Sequence, residues 1–223
     1  MDREAALEAL IDAGIVSETG PDLELADEFL TAWNEAVSDL PESSAGLGEA
    51  LAPHAGDADP ETLVRLCVSR PDRIGGLVAL SESLPDRPIQ ERLGLLLALE
   101  GLRRDPPRAD GSPEAFLPVY PDQLPLFCRL APKAVLYVWR ADCPPCDVVV
   151  EELDGAFPSP DPELTLLSTY GPEDPALLQE RFEVSGGPTV LLMVDGAVDL
   201  RLHGPQYRSV LDDEIRTLRE MDV

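Results

Sequence analysis

Residues 134–153 read AVLYVWRADCPPCDVVVEEL, and this segment predicts a strand, a loop and a helix in succession. Its first six residues are apolar, as in a buried strand, and its last ten mix apolar and acidic residues, as in a helix. Cys143 and Cys146 lie where the loop meets the helix. Two cysteines at this spacing can close a small disulfide without a large backbone movement, so the layout indicates a reversible thiol–disulfide site.

The composition is strongly acidic. The chain has 223 residues, with 43 Asp and Glu against 17 Lys and Arg, and a formal net charge of −26 at pH 7. Lys133 is its single lysine. Proteins that bind nucleic acid or anionic membrane lipid need cations that neutralise phosphates, so this composition argues against both kinds of partner.

This charge also bears on the solvent in which the protein works. Like charges at this density repel one another in a folded chain unless salt screens them, and the Debye length falls to about 3 Å near 1 M salt. Abundant Asp and Glu with almost no Lys resembles the cytoplasmic proteins of extremely halophilic archaea. The alternative is an acidic protein that works at ordinary salt.

Residues 1–4 lack a signal-peptide pattern, and the longest apolar runs, such as residues 94–99, are far shorter than a membrane span. We therefore expect a soluble, cytoplasmic protein. In a reducing compartment, Cys67 and Cys128 are expected to be isolated core residues.

Two domains are predicted. Residues 1–102 are expected to form an all-helical domain of unknown role, because apolar residues recur at helical spacing and Pro60 and Pro71 mark helix starts. Residues 103–113, rich in proline and charge, are the predicted linker, and residues 114–223 the second domain. The helices expected in the first domain are 4–16, 22–40, two that start at residues 60 and 71, and 87–102.

The second domain has an alternating pattern. The strand–helix–strand order at its start favours a parallel pair with a right-handed crossover. Asp195-Gly196 between two apolar runs predicts a hairpin, so the last two strands are expected to pair antiparallel. A mixed sheet flanked by helices results. The predicted strands are 134–139, 164–169, 189–194 and 197–203, and the predicted helices are 144–153, one starting at residue 174, and 209–221.

Residues 134–221 resemble the thioredoxin superfamily. The resemblance rests on Trp139 before Cys143-x-Pro145-Cys146, on Gly187-Pro188-Thr189 opening a strand, on the Asp195-Gly196 hairpin, and on Gly204 before a closing helix. It implies an α/β thioredoxin-like domain after the helical one. The first strand and helix of that fold are expected within residues 114–130, where Pro118, Pro121 and Pro125 intervene.

The resemblance also implies roles for single residues. Cys143 would be the exposed nucleophile and Cys146 the thiol that resolves the mixed disulfide. Pro188 would be preceded by a cis peptide bond, and Gly187 would present backbone groups to a bound peptide. Trp139 would pack under the site, and no cofactor or metal is needed.

Several positions depart from the family's pattern. Tyr137 stands where thioredoxins usually bury an acid, and Ser168 where a lysine commonly partners it, so the usual proton relay is missing. Pro144 and Pro145 have no N–H, which leaves about one first-turn donor, that of Cys146, for a Cys143 thiolate. Asp142 and Asp147 add like charge, so we expect a thiol acidity closer to a reductant's than to a strong oxidant's.

The main hypothesis is a protein-disulfide reductase of thioredoxin type, which acts on protein disulfides and is itself reduced by an upstream reductase. A second hypothesis is a redox-regulated or non-catalytic adaptor, in which the thioredoxin-like domain is a scaffold and the helical domain recruits a protein partner. A third makes the cysteine pair half of a metal site, which would have to recruit Cys128, Cys67 or His203.

Overall fold

The computed structural model describes residues 3–19, 22–67 and 70–222. Their contacts divide the chain into two compact units, Met1–Asp105 and Pro106–Val223. The predicted linker, residues 103–113, is shared between them: Arg103 ends a helix of the N-terminal unit, and residues 106–113 belong to the C-terminal unit. Within the described residues, no helix has both the length and the apolar character needed to cross a membrane.

The N-terminal unit is helical, as predicted, but it also contains a two-stranded antiparallel hairpin that replaces the ends of two predicted helices. Gly14 takes a positive φ of 66°, and the N–H of Ile15 donates to the Leu10 carbonyl, so the first helix ends in a glycine cap. The helix at residues 44–51 was also not predicted. The elements are α1 (Arg3–Asp12), β1 (Val16–Thr19), β2 (Asp22–Leu25), α2 (Asp27–Ser38), α3 (Ser44–Leu51), α4 (Pro60–Cys67), α5 (Pro71–Ser83) and α6 (Ile89–Arg103).

The core of this unit forms where α2 meets α5 and α6. Trp33 is fully buried, and its Nε1 donates to the Asp72 carbonyl at 2.7 Å. A Cβ on Gly76 would lie 2.5 Å from Trp33 Cε2, so the glycine permits this close packing. Arg73 is also fully buried and makes two hydrogen bonds with the Glu100 carboxylate, at 2.5 and 2.9 Å.

The C-terminal unit is built on a five-stranded mixed sheet. Its elements are β3 (Leu117–Pro118), α7 (Leu124–Leu130), β4 (Lys133–Trp139), α8 (Pro144–Ala156), β5 (Thr165–Tyr170), α9 (Pro175–Phe182), β6 (Thr189–Val194), β7 (Ala197–His203) and α10 (Arg208–Glu220). The strand order is β3-β5-β4-β6-β7, with β3, β5 and β4 parallel and β6 and β7 antiparallel to their neighbours. Side chains of α8 and α10 pack on one face, and those of α7 and α9 on the other.

Local sequence explains how this unit accommodates three prolines near β3 and how the chain turns between β6 and β7. The three prolines of residues 118–125 are tolerated because Pro118 lies on an edge strand, Pro121 opens a 3₁₀ turn, and Pro125 lies in the first turn of α7. Asp195 and Gly196 take positive φ values of 50° and 79°, as a two-residue hairpin turn between β6 and β7 requires.

Candidate redox site

The cysteine pair lies at the carboxyl end of β4, where the chain turns into α8. Cys143 and Cys146 form a disulfide with their Cα atoms 5.2 Å apart. Each residue is only 3 % exposed. The family resemblance implies an exposed Cys143, whereas the structure buries it with the side chains that α8 packs against the sheet.

The first turn of α8 directs its N–H groups away from the Cys143 sulfur. Pro144 and Pro145 have no N–H, and the N–H groups of Cys146 and Asp147 both donate to the backbone carbonyl of Cys143, at 2.7 and 3.2 Å. The donor that the sequence predicts for a Cys143 thiolate therefore serves the backbone in this structure.

The segment before β6 forms the second wall of the site. The peptide bond between Gly187 and Pro188 is cis, as the resemblance implies. The Gly187 carbonyl oxygen lies 4.0 Å from Cys143 Sγ. A Cβ on Gly187 would lie 3.0 Å from the Val138 carbonyl oxygen and 3.1 Å from Trp139 Cα, so the loop rests directly on the end of β4.

Hydrogen bonds hold this loop in place. The Thr189 hydroxyl donates to the Gly186 carbonyl at 2.7 Å, and the N–H of Gly204 donates to the Pro188 carbonyl at 2.9 Å. Because the single hydroxyl hydrogen of Thr189 is used, the 3.2 Å contact with His203 Nδ1 requires the imidazole to donate. The turn after β7 thus braces the segment that presents Gly187.

Trp139 packs beside the site in a way that spacing did not indicate. Its ring lies 4.9 Å from the ring of Tyr170, at the ends of neighbouring parallel strands. The Arg108 guanidinium lies 4.4 Å from the Tyr170 ring centre and is paired with Asp110. A Cβ on Gly111 would lie 2.6 Å from Trp139 Cζ3. No pattern in residues 103–113 marks these contacts, because they join positions far apart in the chain.

Neutral side chains occupy the positions of the usual proton relay. The Tyr137 hydroxyl donates to the Cys146 carbonyl at 3.0 Å. Burial, with a smaller contribution from the Asp147 charge, raises the pKa of Tyr137 well above its usual range, so the phenol stays protonated. Ser168 is buried and pairs with the Ser112 hydroxyl at 2.5 Å. Neither position provides a carboxylate that accepts a proton from Cys146.

In the part of the chain that the structure describes, the ligands required by a metal site are not assembled around the pair. Cys128 is buried in the α7 and α9 layer, 3.4 Å from the Met193 sulfur, and His203 is engaged with Thr189. Among the described residues, no three His, Cys, Asp or Glu side chains are grouped so as to hold a metal ion.

A small cleft of about 180 Å³ opens beside the Gly187 loop. Its walls are mostly apolar and include Trp139, Pro172, Leu178 and Val184, with Arg140 among the lining residues.

No protein-family model matches the chain, and no curated protein matches it in sequence. Two solved structures are similar to part of it. A thioredoxin variant from Halobacterium salinarum is 20% identical over 48% of this chain and 94% of its own, with a TM-score of 0.41. The protein Trxlp from Edwardsiella tarda is 26% identical over 39% of this chain and 84% of its own, with a TM-score of 0.35.

The fold is assigned from the strand order, the strand directions and the placement of the cysteine pair. Two parallel βαβ-type connections lead into an antiparallel hairpin, helices cover both faces, and the C-x-x-C pair opens the helix after β4 beside a cis proline. The C-terminal unit therefore has a thioredoxin-like fold.

Proposed function

We propose that the protein is a thiol–disulfide oxidoreductase that reduces protein disulfides through Cys143 and Cys146. The observation that carries the proposal is the placement of a closed Cys143–Cys146 disulfide 4.0 Å from the Gly187 carbonyl oxygen. A redox-active sulfur beside free backbone groups is the arrangement that a peptide disulfide needs in order to dock and react.

The reaction runs in two exchanges. The Cys143 thiolate attacks one sulfur of the substrate disulfide, whose other sulfur leaves as a thiolate. The Cys146 thiolate then attacks Cys143 Sγ, which closes the internal disulfide and expels the first substrate sulfur. Two electrons pass to the substrate, and an upstream reductase returns two electrons and two protons to the cysteine pair.

The surroundings of Cys146 support a reductant in which the attack of Cys146 on Cys143 is slow. Cys146 is buried, and Tyr137 and Ser168 supply no base, so its proton has to reach solvent before the second exchange. The rate of this step should rise with pH as the Cys146 thiolate becomes more populated.

Gly187 and the cleft beside it are proposed to bind the substrate chain. The Gly187 backbone would pair with the segment that carries the disulfide, while an apolar side chain of that segment enters the 180 Å³ cleft near Trp139. Pro188 holds Gly187 in its position at the end of β4.

A disulfide-reduction assay in molar KCl tests the proposal. Cys143→Ser should abolish turnover, and Cys146→Ser should accumulate mixed disulfides on Cys143. Cys67→Ala is the matched control, because it removes a buried thiol of the other unit and should keep turnover. Turnover that survives Cys143→Ser would refute the mechanism.

A second candidate function is that of an adaptor whose helical unit recruits a protein partner. The observation that favours it is a groove of about 810 Å³ between α3 and α4, with Gly48 and Ala52 on one side and Pro60 and Val64 on the other. Partner binding that persists when both cysteines are replaced by serine, without measurable disulfide reduction, would favour this function.

The net charge of −26 supports a third proposal, that the protein works in a cytoplasm of high salt. Raising KCl from about 0.1 M to about 2 M should increase the thermal unfolding midpoint, because screening weakens the repulsion among acidic side chains. An unfolding midpoint that does not respond to KCl would contradict it.

A further inference from the structure

Arg92 is an unusual cation in the N-terminal unit. It lies on α6, is 6 % exposed, and its Nε is buried with no hydrogen-bond partner. Within the described ranges, no side chain forms an ion pair or hydrogen bond with its guanidinium. The chain offers 43 acidic residues, so this is not explained by a shortage of carboxylates. Arg73 on α5 shows the contrast, since Glu100 neutralises it.

A buried guanidinium without a counter-charge costs free energy, because it loses hydration and gains no compensating bond. Burial lowers the pKa of Arg92, and no neighbouring carboxylate offsets this effect. A side chain of this kind is stabilised when an anion from solution binds to it.

The surroundings of Arg92 define where such an anion would enter. A Cβ on Gly56 would lie 3.6 Å from Arg92 Nη2, so the outer end of the guanidinium lies against this glycine. Gly56 has a positive φ of 60° and belongs to an exposed turn that the N–H of Ala58 closes on the Ala55 carbonyl. Nη2 of Arg92 therefore reaches the turn, while Nε is enclosed.

We propose that Arg92 and the turn of residues 55–58 form a binding site for a phosphate-type oxyanion, either inorganic phosphate or the phosphoryl group of a small metabolite. The two Nη groups of a guanidinium present parallel N–H donors that match two oxygens of one phosphate. The N–H of Gly56, which donates to no backbone carbonyl of the described chain, would supply a third donor from the same turn.

Thermal unfolding of the full chain tests this site, with phosphate replacing chloride at constant ionic strength. Phosphate at ten times its dissociation constant should raise the wild-type midpoint by about 5 °C, since binding to the folded state alone adds stability. Arg92→Met should unfold in chloride at the wild-type midpoint or above, because it buries no charge, and should not respond to phosphate.

Arg216→Met is the matched control. It removes an exposed arginine that is paired with Asp213, so it should keep the full phosphate response. Arg92→Lys keeps the charge but loses the paired N–H donors of the guanidinium. This variant should bind phosphate at least tenfold more weakly in a calorimetric titration. Glycerol phosphate distinguishes inorganic phosphate from a metabolite's phosphoryl group as the bound anion. A site that takes phosphoryl esters should bind glycerol phosphate as tightly as it binds inorganic phosphate, whereas a site for inorganic phosphate alone should bind it more weakly.

Two results would overturn the proposal. One is a phosphate response of Arg92→Met equal to that of the wild type. The other is the absence of any phosphate response in the wild type beyond that to chloride.

Discussion

Substituting Gly187 by alanine is the sharpest structural test of the site. The added Cβ would lie 3.0 Å from the Val138 carbonyl oxygen, and 3.1 and 3.3 Å from Trp139 Cα and C. Ordinary contacts between such atoms are about 3.5–4.0 Å, so the loop or the end of β4 has to move by about half an ångström. All three contacts are with backbone that cannot rotate away. Overpacking of this kind costs about 2 kcal/mol, which corresponds to a fall of roughly 8 °C in the unfolding midpoint of a unit of this size.

The same movement should carry the Gly187 carbonyl away from Cys143 and slow disulfide reduction by about tenfold, since a misplacement of about 1 Å can cost about 100-fold and this movement is about half as large. Gly186→Ala is the matched control, since a Cβ there meets no atom within 4 Å. Differential scanning calorimetry and a disulfide-reduction assay measure both effects. Equal unfolding midpoints and equal rates for the two variants would refute the reasoning.

Three further predictions concern other parts of the chain. Burial raises the pKa of the Cys67 and Cys128 thiols from 9.0 to about 12, so unfolded thiols ionise first and stability should fall as pH rises from about 9 towards 12. Denaturant titrations of the wild type and of the double alanine variant measure this loss, which the variant should lack. Glu100→Gln removes the carboxylate bonded to Arg73 and should cost about 3–5 kcal/mol of unfolding free energy, whereas replacing both residues by apolar ones should cost much less. Tyr137→Phe should cost about 1 kcal/mol and leave the pH profile of disulfide reduction unchanged, because the phenol is a neutral donor and not a base; a changed profile would contradict this.

The C-terminal sheet could be predicted because local signals bound nearly every element. Asp195-Gly196 predicts the turn, and the observed bounds of β6 and β7 are those expected. The turn sets the register only beside itself, because a bulge between Leu192 and Met193 shifts the pairing by one residue further along the strands. The exception is β3, two residues long and containing Pro118. Such a short strand leaves no periodicity in the sequence, and its place is decided by pairing with β5.

The N-terminal hairpin was missed because helical composition dominates its flanks. Ile15 and Val16 continue the apolar pattern of α1, yet Gly14 ends that helix, so Ile15 enters the core from the bend before β1 and Val16 enters it from β1. The dipeptide Gly20-Pro21 is a turn signal between the two strands, although it lies outside the described residues. A glycine cap outweighs helix propensity over so few residues.

In the candidate site, the cysteine pair and the Gly187–Pro188 segment could be predicted, whereas the electrostatics of the sulfur could not. The sequence predicts one N–H donor for a Cys143 thiolate, but the structure commits the Cys146 N–H to a carbonyl. Whether a first-turn N–H points to a sulfur or to a carbonyl depends on the loop conformation, with Asp142 at a positive φ of 51°, and composition does not encode it.

The hydrogen bonds and charges around Cys143 and Cys146 act in the same direction on the equilibrium between the dithiol and the disulfide. Strongly oxidising C-x-x-C proteins stabilise their reduced form through the thiolate of the first cysteine. Here the first-turn donors are absent or occupied, and Asp147 places like charge one residue after the pair. We therefore expect the reduced form to gain little from ionisation, and the disulfide to be favoured relative to the dithiol. A pair whose oxidised form is favoured in this way gives up electrons readily, and this supports the proposed direction of the reaction, in which the protein reduces partner disulfides.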